Sequence, residues 1–169
     1  MEKKPCVNSK TVKTALILPP DANQYGTLFG GSLMAHIDDV AAIAAVKHAR
    51  KPVVTASTDS VDFLSPVKVG DSIQVEGFVT SAHKTSMEVF VKVVQEALMS
   101  GKKGICATAF LTFVALDDDG RPTVIPQIYP ESEIEKNLFA GAAIRRERRN
   151  ERKKESQEMA KIFSIENGE

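Results

Sequence analysis

The spacing of apolar and polar residues changes several times along the chain. Thr11 to Leu18 (TVKTALIL) reads as a first strand, stopped by Pro19 and Pro20, which lack the ladder N–H and fix φ. Asp21 to Gly31 (DANQYGTLFGG) is turn-rich and ends in a glycine pair. From Ser32 to Arg50 the period becomes helical, with Leu33, Met34, Ile37, Val40, Ala41, Ala44 and Ala45 on the i, i+3, i+4, i+7 pattern. The alanines favour helix and keep its surface narrow, and Pro52 marks its end.

Four strand-like segments follow: Val53 to Phe63, Ser72 to Ser81, Met87 to Glu96 and Gly104 to Leu116. Met87, Val89, Val91 and Val93 alternate onto one face of the third, opposite a mixed face of Glu88, Phe90, Lys92 and Val94. The fourth has little charge on either face and reads as an inner strand. Ser100-Gly101-Lys102-Lys103 between these two is a hairpin-turn signal. From about Pro130 the chain reads as helix, almost without apolar residues between Arg145 and Glu155. Strand, helix, four strands, helix implies antiparallel pairing and an α+β class. One helix covers only one face of a five-stranded sheet, so the other face must curl, receive the tail or meet a second subunit.

Composition narrows the function. The 169 residues carry 22 basic and 22 acidic side chains and are 43% apolar. That suits one globular domain and argues against a general polyanion binder; no nucleic acid is expected as partner. No apolar run reaches the roughly 18 residues of a membrane span, and the charged N-terminus has no signal-peptide core, so a cytoplasmic, membrane-free protein is expected. Cys6 and Cys106 lack metal-ligand spacing and are expected to be reduced; His36, His48 and His83 form no cluster, and no metal site is expected.

The candidate chemistry lies in Asn23, Gly30, Gly31 and Asp38. The glycines open the long helix, whose first N–H groups have no internal partner and favour a polarised oxygen. Without a Cβ the backbone can approach closely, as an oxyanion hole requires. On a wheel at about 100° per residue from Leu33, the apolar arc spans roughly −20° to +120°, with Asp38 near about 140° and Asp39 near about 240°. Asp38 therefore borders the buried stripe, where lost solvation raises a carboxyl pKa and suits a base. The same features also describe an ordinary turn and a solvated or salt-bridged carboxylate.

Asn23-x-x-Gly26-x-x-Phe29-Gly30-Gly31, with Asp38 seven residues on, resembles the hotdog-fold acyl-CoA thioesterases, including bacterial acyl-CoA hydrolases and the cytosolic brain-type hydrolase. Val53-Val54-Thr55, Asp62-Phe63-Leu64, Pro66, Val69-Gly70-Asp71 and Thr112-Phe113-Val114-Ala115 extend the resemblance over roughly residues 10 to 130. It implies a five-stranded antiparallel sheet wrapped around one long central helix. It also implies dimers joined edge to edge, trimers of such dimers, and sites at the dimer interface. By position, Asp38 matches the family's catalytic carboxylate (base or nucleophile), Asn23 the catalytic asparagine contributed by the other subunit, and Gly31 the backbone donor to the thioester carbonyl. The implied reaction is hydrolysis of acyl-CoA to fatty acid and coenzyme A, with no cofactor beyond the coenzyme A of substrate and product.

The resemblance extends to His83, Lys84, Thr85 and Ser86, a turn offering a cation and hydroxyls to coenzyme A, although a solvated hairpin turn reads equally well. Ser57 and Thr58 could line the pantetheine channel or simply form a polar face. His36 reads as a satisfied structural histidine, His48 as a cation at a helix C-terminus, and Cys106 as a core residue. Arg145 to Glu155 reads as a solvated helix with internal ion pairs, or else as a phosphate-facing patch or subunit contact. Residues 1–130 are the expected hotdog domain and 131–169 a helical extension. The rival readings are a non-catalytic acyl-CoA sensor, which needs no base, and a hotdog hydratase, which relies on an Asp/His pair without convincing counterpart here.

Overall fold

The computed structural model describes residues 2–166; residue 1 of the expected core and 167–169 of the expected extension lie outside them. The elements are β1 (Lys3–Pro5), β2 (Thr11–Leu16), α1 (Gly30–Ala49), β3 (Val53–Phe63), β4 (Ser72–Ala82), β5 (Ser86–Ala97), β6 (Lys102–Ala115), β7 (Gln127–Tyr129) and α2 (Glu133–Glu166). Strands β2-β4-β5-β6-β3 form one antiparallel sheet in that order. Hence β3, among the longest and least buried strands, is an edge. β1 and β7 form a separate parallel pair that the sequence pattern did not signal, because three-residue strands carry no readable period.

The sheet curls around α1. Leu33, Ile37, Val40, Ala41, Ala44 and Ala45 are buried, as the helical period predicts. They meet Ile73, Val75, Val89, Val91, Leu111 and Phe113 of the inner sheet face. Small residues allow this close approach: a Cβ on Gly77 would lie 3.1 Å from both Val40 and Val91. Each fully buried branched side chain contributes on the order of 2 kcal/mol, so this layer dominates the fold.

The outer sheet face is crossed by α2. Arg145 Nε and Nη2 donate to Glu88 at 2.9 and 2.8 Å, and its guanidinium stacks 4.2 Å from the Phe110 ring centre. Thr80 Oγ1 also donates to Glu88. Arg149 donates to Thr112 Oγ1 and Arg152 to Asp59 Oδ1. These arginines recur at i, i+4, i+7 and occupy one helix face. The basic run is therefore not a wholly solvated helix: one stripe of it fastens α2 to the sheet.

His48 is 1% exposed, and its Nε2 donates to Pro126 O at 2.9 Å. Burial pushes its imidazole below the usual 6.5, so it is a neutral core group rather than the expected helix-terminal cation. His36 also departs from expectation: its buried Nδ1 has no hydrogen-bond partner among the described residues. Cys6 and Cys106 are free and buried, and burial followed by nearby Glu135 raises the Cys6 thiol to about 12.

Two stability tests follow from this packing. Arg145→Ala strands the largely buried Glu88 charge and should cost about 2–4 kcal/mol in chemical denaturation; a cost below about 1 kcal/mol contradicts the docking described. A histidine with a depressed folded pKa stabilises the fold above its unfolded value and loses that contribution as pH falls through the folded one. Melting temperature should accordingly decline below pH 6.5, and less steeply in His48→Asn; an identical slope in the variant contradicts the buried neutral state.

Candidate functional site

The loop before α1 is organised around Asn23. Its Oδ1 accepts from Tyr25 N (2.9 Å), Thr27 N (3.3 Å) and Thr27 Oγ1 (3.1 Å). Gly26 takes the positive φ of 73° that this turn needs. Leu28 N donates to Val67 O and Phe29 N to Asp21 O, tying the loop to the chain after β3. With its carbonyl committed, Asn23 has only its Nδ2 donors to offer outward.

α1 begins at Gly30 with no side-chain cap. The first N–H groups, Gly31 among them, have no helical acceptor. A Cβ at Gly31 would lie 2.7 Å from the Phe29 ring, so a larger residue must displace that ring. Gly30 faces Phe63 at the end of β3. Thr27, Leu28, Gly30, Leu33, Phe63, Leu64, Ser65, Pro66 and Val67 enclose an open cavity of about 350 Å³ there.

Asp38 sits two turns further along α1. Thr55 Oγ1 donates to its Oδ1 at 3.1 Å, while Asp39 points away to Lys13 at 2.8 Å. This is the separation of the two carboxylates that the helical wheel predicts. Asp38 borders a cavity of about 280 Å³ with Met34, Ile37, Thr55, Thr58, Val61 and Leu111. It is exposed within its own chain, so the expected loss of solvation is not supplied there. Thr55 was not singled out from the sequence as a site residue; a lone threonine in a β-branched strand gives no signal.

Thr58 lines the Asp38 cavity, but Ser57 does not. Ser57 faces outward, and its Oγ donates to Asp59 at 2.6 Å. The turn Lys84-Thr85 leads into β5, and His83 N donates to Ser86 O across it. Ser86 pairs with Val114, which pairs with Val54, so the turn lies at the Asp38 end of the sheet, about 10 Å from β3 at two strand spacings. Burial, then Arg146 and Arg149, push the His83 imidazole down, leaving Lys84 as the turn's cation. His83 also borders a groove of about 700 Å³ against α2, where Arg146 and Lys154 are offset by Glu147 and Glu151.

The structure thus gathers two groups at different points along β3. Gly30 lies against Phe63 at its end, with Gly31 and the Asn23 loop beside it; Asp38 meets Thr55 and Thr58 in the strand's first half and middle, and the turn His83 to Ser86 lies towards Val53. Gly31 and Asp38 share a helix face but stand about 10 Å apart at 1.5 Å per residue. Exposed apolar side chains stand along this edge: Phe29 and Phe63 are each 56% exposed and Leu64 59% at one end, and Val54 47% near the other. Exposed apolar side chains on a free strand edge mark an interface. Among the described residues, no three His, Cys, Asp or Glu side chains come together as metal ligands, and no helix is long and apolar enough to cross a membrane.

Known proteins share this architecture. A thioesterase-superfamily model matches residues 25–102. A Bacillus subtilis protein described as an uncharacterised acyl-CoA thioester hydrolase, YkhA, is 50% identical over 155 residues, covering 92% of this chain and 90% of that protein. The Staphylococcus aureus acyl-CoA hydrolase, solved with butyryl coenzyme A, coenzyme A and its disulfide, superposes with a TM-score of 0.92 at 45% identity, covering 96% of this chain and 99% of that one. Variants of that enzyme with one aspartate, asparagine or threonine changed to alanine match equally. A hexameric acyl-CoA thioesterase matches with a TM-score of 0.88 at 47% identity, covering 90% of this chain and 97% of that one. Fold and relatives agree: the chain belongs to the hotdog-fold acyl-CoA thioester hydrolases of the thioesterase superfamily.

Proposed function

We propose that this chain hydrolyses acyl-CoA thioesters at sites shared between two copies. Each site joins Asp38 of one copy to Asn23 and Gly31 of the partner subunit. The observation that carries this reading is the separate placement of the two groups along β3, whose outer edge pairs with no described strand. When two copies of an edge strand pair antiparallel about a two-fold axis, the start of one lies beside the end of the other. The same pairing covers the exposed apolar side chains and removes water from Asp38. Relatives add support: the aspartate, asparagine and threonine replaced in the S. aureus enzyme are spaced along that chain as Asn23, Asp38 and Thr55 are here.

In this mechanism the partner's Gly31 N–H donates to the thioester carbonyl oxygen and stabilises the oxyanion. The partner's Asn23 Nδ2 donates to the same oxygen or to the attacking water. As a base, Asp38 takes a proton from water as its oxygen bonds the carbonyl carbon. The tetrahedral intermediate collapses, the C–S bond breaks, and the thiolate takes up that proton. As a nucleophile, Asp38 would instead form an anhydride that water then opens. Thr55 holds one carboxylate oxygen and leaves the other available in either route. Lys84, Thr85 and Ser86 meet the coenzyme A arm, with Gly30, Thr58 and His83 along its path. Free, buried cysteines suit a reducing cytoplasm. Pairs of chains assemble further as trimers of dimers, as the hexameric relative suggests.

Asp38→Asn should lower thiol release from acyl-CoA at least about 100-fold, with mass by light scattering unchanged. Near-normal turnover would reject Asp38. A single turnover in oxygen-18 water bears on the routes: the base route labels the first fatty acid, so an unlabelled first product requires the nucleophile route with water opening the anhydride at the Asp38 carboxyl carbon.

A further inference from the structure

Strand β3 does not alternate normally. Its pairing with β6 skips Ala56, between Thr55–Phe113 and Ser57–Thr112, and Asp59, between Thr58–Leu111 and Ser60–Phe110. Each is the extra residue of a β-bulge. An unbulged strand sends residues 55, 57, 59 and 61 to one face. With two insertions, the residues facing Asp38 are Thr55, Thr58 and Val61, at every third position. Bulges of this kind re-aim side chains.

The second bulge residue is held from outside. Asp59 is 12% exposed, and its carboxylate accepts from Ser57 Oγ and Arg152 Nη2 through Oδ1, and from Thr112 Oγ1 through Oδ2. Arg149 donates to the same Thr112 hydroxyl at 2.6 Å. Three side chains, one each from β3, β6 and α2, thus converge on one inserted residue, and Arg149 braces the Thr112 among them. Register is weakly fixed by its own pattern in a strand that is polar on both faces, as β3 is with Thr55 and Thr58 on one and Ser57 on the other. A slip of one residue would turn Thr58 outward and Ser57 inward.

We propose that Asp59 and Arg152 are positioning residues: α2 grips the bulge of β3 and so holds Thr55 and Thr58 in register with Asp38. This gives the C-terminal helix a part in catalysis although it stands on the far side of the sheet. The inference rests on the reading of Asp38 given above. Neither residue touches the substrate; both act through the strand.

The test measures kcat and KM for acyl-CoA hydrolysis in Asp59→Asn, Arg152→Ala and Arg152→Lys, together with assembly mass and melting temperature. Asp59→Asn and Arg152→Ala should lose about tenfold in kcat with KM within about twofold, since a displaced base slows chemistry more than binding. Arg152→Lys, which keeps a cation on Asp59, should recover most of the loss. Wild-type kcat in correctly assembled Asp59→Asn and Arg152→Ala overturns the proposal, as does an effect confined to melting temperature. If Asp59→Asn fails to assemble, the contrast between Arg152→Ala and Arg152→Lys decides; if an Arg152 variant fails, Asp59→Asn against wild type decides. Asp38→Asn run alongside separates the two claims. Activity surviving in it removes the site itself; its inactivity beside normal Arg152→Ala turnover removes only the positioning role.

Discussion

Among the described residues, strand β3 is bonded to β6 along one edge and to no strand along the other, and two candidate groups face it at different points. Gly30 and Gly31 stand by its end because the loop around Asn23 is tied to the chain leaving β3. Asp38 stands nearer its start because two turns of α1 separate it from the helix start. A free edge of this length exposes unpaired backbone groups and apolar side chains, which proteins rarely leave uncovered. Covering it with a second copy, as proposed, would settle three matters together. It would pair the backbone, bury Phe29, Phe63 and Leu64, and set the helix-start donors of one copy beside the carboxylate of the other.

The outer face shows a different solution to the same problem. Where an amphipathic helix would lay down leucines, the middle of α2 lays down Arg145, Arg149 and Arg152. Exposed ion pairs contribute little, but these meet Glu88 and Asp59, which are 7% and 12% exposed and are also bonded by hydroxyls. Removing one partner is therefore expensive, whereas the pair itself mainly fixes where the helix lies. That favours specificity of docking over raw stability, and it couples α2 to the strand that carries Thr55 and Thr58.

Much of this was legible in the sequence because the long elements have clean periods. The helix over Gly30–Ala49 and the four long strands follow from apolar spacing, and Asp38 and Asp39 point apart as the wheel requires. What escaped depends on contacts across the chain. Bulges at Ala56 and Asp59 leave no mark in composition, so Ser57 and Thr58 read alike yet face opposite ways. The carboxylates that receive α2 lie on distant strands, so its arginines resembled a solvated stripe. His48 sits at a helix end, but the Pro126 segment covers it, and burial outweighs the helix dipole. Exposure of Asp38 within one chain was equally invisible, because the sequence does not say which chain covers it.

The shared site is tested most directly by combining two inactive chains. Asp38→Asn and Asn23→Ala should each be nearly inactive alone. When they are co-expressed in equal amounts, half of the pairs are mixed, and each mixed pair holds one site with both residues intact. The account predicts recovery of about a quarter of wild-type thiol release. If both residues act within one chain, no mixed pair contains an intact site, and activity no greater than that of the separate variants would contradict the account.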